Sequence, residues 1–211
     1  MHPDLTSRCE GGTTLDVLSW RLSRPMLVAS TATSGGGLGE RHWLLNVQVP
    51  HDYRRRDVGR HVSQIADQLD LHHEGVGMLT AAPIKAVAHA HEMAVDVHAT
   101  VGVRKPTWAA SDEQVNEDRP EPGTINIVAF LPVRLSPGGL LNALTTATEA
   151  KSQALWDAGI AATGTASDAV CIVCPVEGAE DLFGGPRSVW GSRLARAVHR
   201  AVLTGAQSEP Q

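Results

Sequence analysis

Apolar and polar residues alternate over short segments of the chain, a pattern typical of β-strands. Strands are predicted over residues 16–22, 26–30, 42–49, 76–82, 123–132 and 163–174, with one or two more over 87–103. Arg24 and Pro25 separate the first two. The terminal residues 1–14 and 205–211 lack such a pattern, and we expect them to be flexible.

Three segments instead carry apolar residues at helical spacing: 57–69, 136–159 and 188–203. We expect Asp57 and Ser136 to cap the first two helices, and Gly159 to end the second. The predicted fold class is therefore α+β (mixed α/β): a single compact domain over residues 15–204, largely β-sheet with packed helices.

One sequence pattern occurs twice along the chain, and this internal repeat, called the echo below, divides the chain into two halves. Each half has a strand containing an asparagine, then a helix, then a strand that opens on glycine: Asn46 and Gly77 in the first half, Asn126 and Gly164 in the second. The echo predicts two pseudo-duplicated strand–helix–strand halves. If it holds, both asparagines approach a shared site from equivalent positions.

Composition narrows the function classes. The chain has 211 residues, of which 42% are hydrophobic, and a formal net charge of -5. We therefore expect no electrostatic attraction to nucleic acid or to an anionic membrane. Its apolar runs fall short of the roughly 20 residues of a membrane span. Three cysteines argue against a disulfide framework. The expected location is the cytoplasm, and residues 111–122 are expected to form an exposed acidic loop.

Residue types that can bind metals cluster in one region: His89, His91, Glu92, Asp96 and His98. They lack the H-E-x-x-H spacing of a zinc helix, and exposed histidines explain them more simply, so no metal site is predicted. Cys171 and Cys174 have C-x-x-C spacing, but they lie in a Val/Ile-rich strand without a second pair. We expect buried, inert thiols there.

Lys151 is the unusual residue of the long helix. Projected at about 100° per residue, it falls with Thr148 inside an apolar stripe, and Glu149 falls on the opposite side. The stripe comprises Leu140, Leu141, Leu144, Ala147, Ala154 and Leu155. Either the lysine stem lies on apolar surface with its ammonium in water, or a buried charge acts as an anion clamp or proton-transfer partner.

Two runs of small residues are further candidates. Thr165, Ser167 and Asp168 follow Gly164, where a hydroxyl beside a carboxylate could act as a nucleophile or position water, or simply satisfy a turn. The triple-glycine run that starts at Gly35 could offer backbone N–H groups to an anion, admit a ligand close to the main chain, or form a flexible hairpin tip.

Several of these pieces, in this order, resemble the adenosylcobinamide amidohydrolase family of corrinoid salvage. They are Gly35, Gly36 and Gly37, Asn46, and residues 76–82, 123–127, 146–151 and 163–170. The resemblance spans about residues 25–203 and departs at 101–108, on the expected substrate rim. It implies hydrolysis of the amide joining the corrin ring to its aminopropanol arm: adenosylcobinamide gives adenosylcobyric acid and 1-amino-2-propanol for coenzyme B12 assembly.

A corrinoid substrate is flat and fringed with amides, so it needs small residues and many hydrogen-bonding groups. The substrate-binding residues we expect are Gly35, Gly36, Gly37, Asn46, Thr80, Asn126, Thr165 and Ser167. In the catalytic hypothesis, Glu149 or Asp168 is the base and Lys151 its electrostatic partner. Asn46 or Asn126, with backbone N–H groups, would stabilise the oxyanion.

No cofactor is required by this reading, because the cobalt-containing corrinoid is the substrate, and assembly into a homo-oligomer stays open. Two other functions remain: a corrinoid-binding protein without catalysis, and a hydrolase of another amide.

Overall fold

A mixed sheet of eight strands, packed against three helices, forms the framework of a single α+β domain. The computed structural model describes residues 1–112 and 123–208. The main strands are β1 (Asp4–Glu10), β2 (Thr13–Ser30), β3 (Gly37–Gln48), β4 (Gly75–Thr80), β5 (Ala88–Glu92), β6 (Val95–Gly102), β7 (Thr124–Phe130) and β9 (Ala169–Pro175). The helices are α1 (Val58–Gln68), α2 (Pro137–Asp157) and α3 (Val189–Ser208). Two short strands, β8 (Arg134–Leu135) and β10 (Glu180–Asp181), pair separately.

The strand order in the sheet is β4-β3-β2-β9-β7-β6-β5, and β1 pairs with β2. Strands β3 and β4 are parallel, as are β7 and β9, and each parallel pair is joined through a helix. Both predicted strand–helix–strand halves are therefore present. Within the sheet, Asn46 lies opposite Met78, and Asn126 lies opposite Ala169.

The sheet curls until its edge strand β4 approaches β7. Its concave side encloses a core that includes Trp20, Met78 and Val128. Helix α1 covers the convex side of the first half, and α2 with α3 covers that of the second. Because the alternate residues of one strand face opposite sides, Asn126 faces the interior beside Val128, while Ile125 and Ile127 face the helices.

Several boundaries differ from the sequence-based expectation. The two strands predicted over 16–30 are one strand, with a register shift between Arg21 and Met26 where Pro25 interrupts the ladder. Residues 1–14, expected to be flexible, contain β1, because its ladder with β2 holds it although its own pattern is weak. Helix α3 continues to Ser208.

The last predicted strand begins at Ala169 rather than at residue 163, because the preceding residues form a turn closed by side-chain hydrogen bonds. On α2, Leu141 and Thr148 are exposed, which corrects their place in the buried stripe. Ser136 caps α2 as predicted, whereas Asp57 occupies the cap position of α1 without a side-chain cap bond and pairs with Arg55.

Most of the predicted acidic loop, residues 113–122, lies outside the described residues. Among the helices that the structure describes, none combines the length and the apolarity needed to cross a membrane.

Candidate functional site

A cavity of about 260 Å³ opens where the two halves of the curled sheet meet. Its polar lining comes from both halves and comprises Thr33, His51, Tyr53, Thr80, Thr124, Asn126 and Ser167. His51 and Tyr53 are the titratable side chains in this lining, within the part of the chain that the structure describes. The site is therefore dominated by neutral amides and hydroxyls rather than by charges.

Asn46 and Asn126 meet directly beneath this cavity. Asn126 Nδ2 donates to Asn46 Oδ1 at 2.8 Å and to the backbone carbonyl of Leu79 at 2.9 Å. Asn46 Nδ2 donates in turn to Thr100 Oγ1 at 2.9 Å. All three polar side chains are almost completely buried. The structure thus brings the two predicted asparagines together, with Asn126 lining the cavity and Asn46 behind it.

Lys151 and Asp168 form a buried ion pair. Asp168 Oδ2 also accepts from the Thr165 N–H at 3.0 Å, while Oδ1 accepts from the Ile125 N–H at 2.9 Å and from Thr165 Oγ1 at 2.5 Å. Gly164 packs so closely that a Cβ there would collide with both charged groups. The carboxylate therefore holds the turn of residues 164–168 against the start of β7.

That turn brings hydroxyl groups to the edge of the cavity. Ser167 Oγ and Thr124 Oγ1 are 2.6 Å apart, and Ser167 Oγ lies 3.1 Å from the Gly123 carbonyl oxygen. Thr165 Oγ1 lies 2.8 Å from the same oxygen and shares its single hydrogen between it and Asp168. On the opposite wall, Thr80 Oγ1 accepts from the Ala82 N–H at 3.0 Å. Thr80 and Ser167 line the cavity, and Thr165 supports it from behind.

Other predicted site residues lie elsewhere. Glu149 is exposed on α2 and does not line the cavity. Gly35 and Gly36 turn their carbonyls to Arg41, with the Nε of Arg41 at 3.0 Å from the Gly35 oxygen. Gly35 has a φ of +69° and lies against Gly75, where a Cβ could not fit. Gly37 begins β3 opposite Ser30. None of the three glycines lines the cavity, whereas the preceding Ala32 and Thr33 do.

A carboxylate–imidazole–phenol series that the sequence analysis missed reaches the cavity rim. The Tyr53 hydroxyl lies 2.8 Å from His61 Nδ1, and His61 Nε2 lies 3.2 Å from Glu10 Oε2. Burial lowers the pKa of His61 and raises that of Tyr53. A signal was present: His61 is a titratable residue on the buried face of α1, as Lys151 is on α2.

A second cavity of about 190 Å³ adjoins the first and shares His51, Ala81 and Gly123 with it. Arg104 is a charged residue in its lining. The two cavities together extend the site along the end of the sheet towards α3, whose Gly205 and Ser208 complete the second lining.

The histidine cluster lies apart from both cavities. His89 and His91 do share a strand face, and both contact the carboxylate of Asp96, at 3.3 and 2.8 Å. Over residues 1–112 and 123–208, no group of three or more His, Cys, Asp or Glu side chains is placed to hold a metal ion. Cys171 and Cys174 are buried free thiols, as predicted, and burial raises the pKa of Cys171 to about 12.

The fold is of the α+β class, and its cleft between two similar halves, lined by one amide and several hydroxyls, has the form of a small-molecule site. The CbiZ family model, described as adenosylcobinamide amidohydrolase, matches residues 2–211. The chain belongs to this amidohydrolase family.

Two individual relatives carry the name of the family and share a quarter to a third of their aligned residues with this chain. The adenosylcobinamide amidohydrolase of Methanosarcina mazei is 26% identical over 181 residues, which cover 82% of this chain and 86% of that protein. The enzyme of the same name from Halobacterium salinarum is 31% identical over 118 residues, 54% of this chain and 51% of that one. The crystal structure of the PH0078 protein from Pyrococcus horikoshii OT3 aligns with a TM-score of 0.44 at 12% identity, covering 92% of this chain and 76% of that one.

Proposed function

We propose that this protein hydrolyses the amide linking the corrin ring of adenosylcobinamide to its aminopropanol arm, giving adenosylcobyric acid and 1-amino-2-propanol for coenzyme B12 salvage. The observation that carries the proposal is the match of the family over residues 2–211. The neutral, hydrogen-bonding cavity between the two halves is compatible with a substrate rich in amides.

The size of the cavity suggests how such a substrate would bind. Ligand sites that enclose a drug-sized molecule measure about 300–1,000 Å³, and this cavity has about 260 Å³. A corrin ring is too large for it, whereas the aminopropanol arm and its amide are not. We therefore assign the arm to the cavity and the ring to its mouth, where the adjoining second cavity widens the site.

The reaction itself requires a water oxygen to add to the amide carbonyl carbon, the C–N bond to break and the leaving nitrogen to take up a proton. Asp168, with Lys151 as its partner, is the base proposed from the sequence, and Glu149 is the alternative. Asp168 already accepts three hydrogen bonds besides the ion pair. We therefore propose that the pair acts mainly by positioning the turn that carries Ser167.

His51 and Tyr53 are further candidates for proton transfer, because they line the cavity directly. Tyr53 is hydrogen-bonded to the buried His61, whose other ring nitrogen contacts Glu10. Because burial raises the pKa of Tyr53 and lowers that of His61, the phenol keeps its proton, and we assign Tyr53 the role of proton donor to the leaving nitrogen. Substitution of Tyr53 by Phe keeps the ring and removes the hydroxyl, so a large loss of kcat in Tyr53→Phe would support this route over one through Glu149.

Incubation of the protein with adenosylcobinamide, with separation of the corrinoid products, tests the proposal. Formation of adenosylcobyric acid and an equal amount of 1-amino-2-propanol supports it. Tight binding without product would indicate a corrinoid-binding protein, and the absence of both binding and turnover would contradict the corrinoid assignment. If the Lys151→Met variant and the Asp168→Asn variant each keep full activity, the assignment of these two residues to the site is wrong.

A further inference from the structure

One polar atom at the cavity is buried without a partner: the side-chain oxygen of Asn126. Asn126 is 1% exposed and lines the cavity, and among the residues that the structure describes none donates a hydrogen bond to its Oδ1. Buried polar groups in folded proteins are nearly always paired. An unpaired acceptor at a cavity therefore indicates a donor that arrives from outside the chain.

The orientation of this amide is determined by its surroundings. The backbone carbonyl of Leu79 can only accept, so the Asn126 atom that faces it at 2.9 Å must be the nitrogen. The same nitrogen faces Asn46, whose contacting atom must then be its oxygen. Exchanging the oxygen and nitrogen of Asn126 would set two acceptors against each other at Leu79. The oxygen is therefore the side-chain atom of this cavity-lining residue that is left without a partner.

This geometry gives Asn126 the opposite polarity to the oxyanion donor expected from the sequence. Both N–H bonds of its amide are used within the protein, on Leu79 and Asn46. An oxyanion needs N–H or O–H donors and is repelled by a carbonyl oxygen. Asn126 is thus suited to receive an N–H group and not to stabilise a tetrahedral oxyanion.

We propose that Asn126 Oδ1 accepts a hydrogen bond from an amide N–H of the corrinoid substrate. The inference rests on the proposed function, which makes the ligand an amide-rich corrinoid. Two sources supply that N–H: the secondary amide that is cleaved, and the primary amides around the ring. The cleaved amide loses its N–H on conversion to the acid, whereas the ring amides persist in the product.

Three variants test the role of the acceptor. Asn126→Leu removes it with little change in volume, and Asn126→Ala removes it with a smaller side chain. Both also remove the N–H donors that Leu79 and Asn46 receive. Thr146→Val is the matched control, because Thr146 is equally buried and loses its bond to the Gly184 carbonyl outside the site. For each, kcat/KM for adenosylcobinamide and the inhibition constant of adenosylcobyric acid are measured, with a thermal melt to verify folding.

We expect Asn126→Leu to lower kcat/KM by about 10- to 100-fold, because the substrate N–H loses its buried partner. Asn126→Ala should lower kcat/KM by a similar factor, and Thr146→Val should stay within about twofold of wild type. An unchanged inhibition constant for the acid identifies the cleaved amide as the donor. An inhibition constant raised by the same factor identifies a ring amide.

The proposal is overturned if Asn126→Leu matches Thr146→Val in both constants, since the acceptor would then serve only water. If Asn126→Leu does not fold, the folded Asn126→Ala variant is compared with Thr146→Val in the same two constants, and an equal result overturns the proposal. Should wild type bind adenosylcobinamide without cleaving it, the proposed reaction fails separately. Dissociation constants of the same two corrinoids then decide the role of Asn126.

Discussion

The Nζ of Lys151 contacts Asp168 Oδ2 in an ion pair that is almost fully buried, linking α2 to the turn in front of β9. The pair lies behind the cavity wall and not in it, because neither residue belongs to the lining. A lysine in an apolar helical stripe is therefore explained by the carboxylate that it meets. Its effect on the site passes through the turn that carries Thr165 and Ser167.

Removing one partner of this pair should cost more than removing both. Lys151→Met leaves a buried carboxylate without its cation, and we expect a loss of about 3–5 kcal/mol in the free energy of unfolding. In the double variant Lys151→Met/Asp168→Asn, the amide still accepts from Ile125 and Thr165, so part of that loss should return. Urea unfolding of the Lys151→Met, Asp168→Asn and double variants measures the difference. If the double variant loses as much free energy of unfolding as the two single variants added together, the account is contradicted.

Gly164 should tolerate no side chain. A Cβ there would collide with the carboxylate of Asp168 and the ammonium of Lys151, so Gly164→Ala should break the ion pair and destabilise by about 2 kcal/mol or more. Gly59→Ala is the matched control: it lies in α1 with open space around it, and alanine should be neutral or stabilising by up to about 1 kcal/mol. Equal melting temperatures of the two variants would refute the close packing at residue 164.

The three thiols should differ in reactivity. Burial raises the pKa of Cys171 to about 12 and also raises that of Cys174, so neither forms a thiolate near neutral pH, while Cys9 is exposed on β1. We expect a thiol-specific reagent to label one cysteine rapidly in the native protein and all three in denaturant. Rapid labelling of Cys171 without denaturant would show that the strand β9 opens readily.

Acid should destabilise the fold through His98. Burial lowers the pKa of this imidazole to about 4, while an unfolded histidine titrates near 6.5. Between these values the unfolded chain binds the extra proton, so stability is complete above about pH 6.5 and decreases as the pH falls towards 4, by about 3 kcal/mol at most. His98→Gln should flatten the dependence of the unfolding midpoint on pH over that window, and an unchanged slope would exclude His98 as its source.

Much of the fold follows from local patterns. The period of apolar residues predicts most strands and all three helices, and the echo of Asn46 and Asn126 predicts the paired halves. Strand β1 is not predicted because its pairing with β2, and not its own pattern, holds it in place. Strand β2 is predicted as two strands because Pro25 looks like a break between them. Both depend on pairings between segments, which no local window contains.

The candidate site was predicted less completely. Helical periodicity places Lys151 in the apolar stripe but leaves open whether its ammonium is buried or in water, and the structure shows that it is buried. The internal repeat predicts that the two asparagines approach one site, and they are in contact. Tyr53 was missed because its partner His61, although it lies on the buried face of α1, was not recognised. Thr100 was missed because curling of the sheet brings it to Asn46, and curvature is set by packing over the whole domain. For the same reason the glycine loop, which looks suited to a ligand, packs on β4 instead.

The most direct test of the account is turnover of adenosylcobinamide by the purified protein, measured by separating the corrinoid products over time. The account predicts adenosylcobyric acid and 1-amino-2-propanol in equal amounts, at a rate that falls by about 10-fold or more in Asn126→Leu and not in Thr146→Val. Adenosylcobinamide that remains intact with folded wild-type protein, over many hours and with no measurable binding, would contradict it.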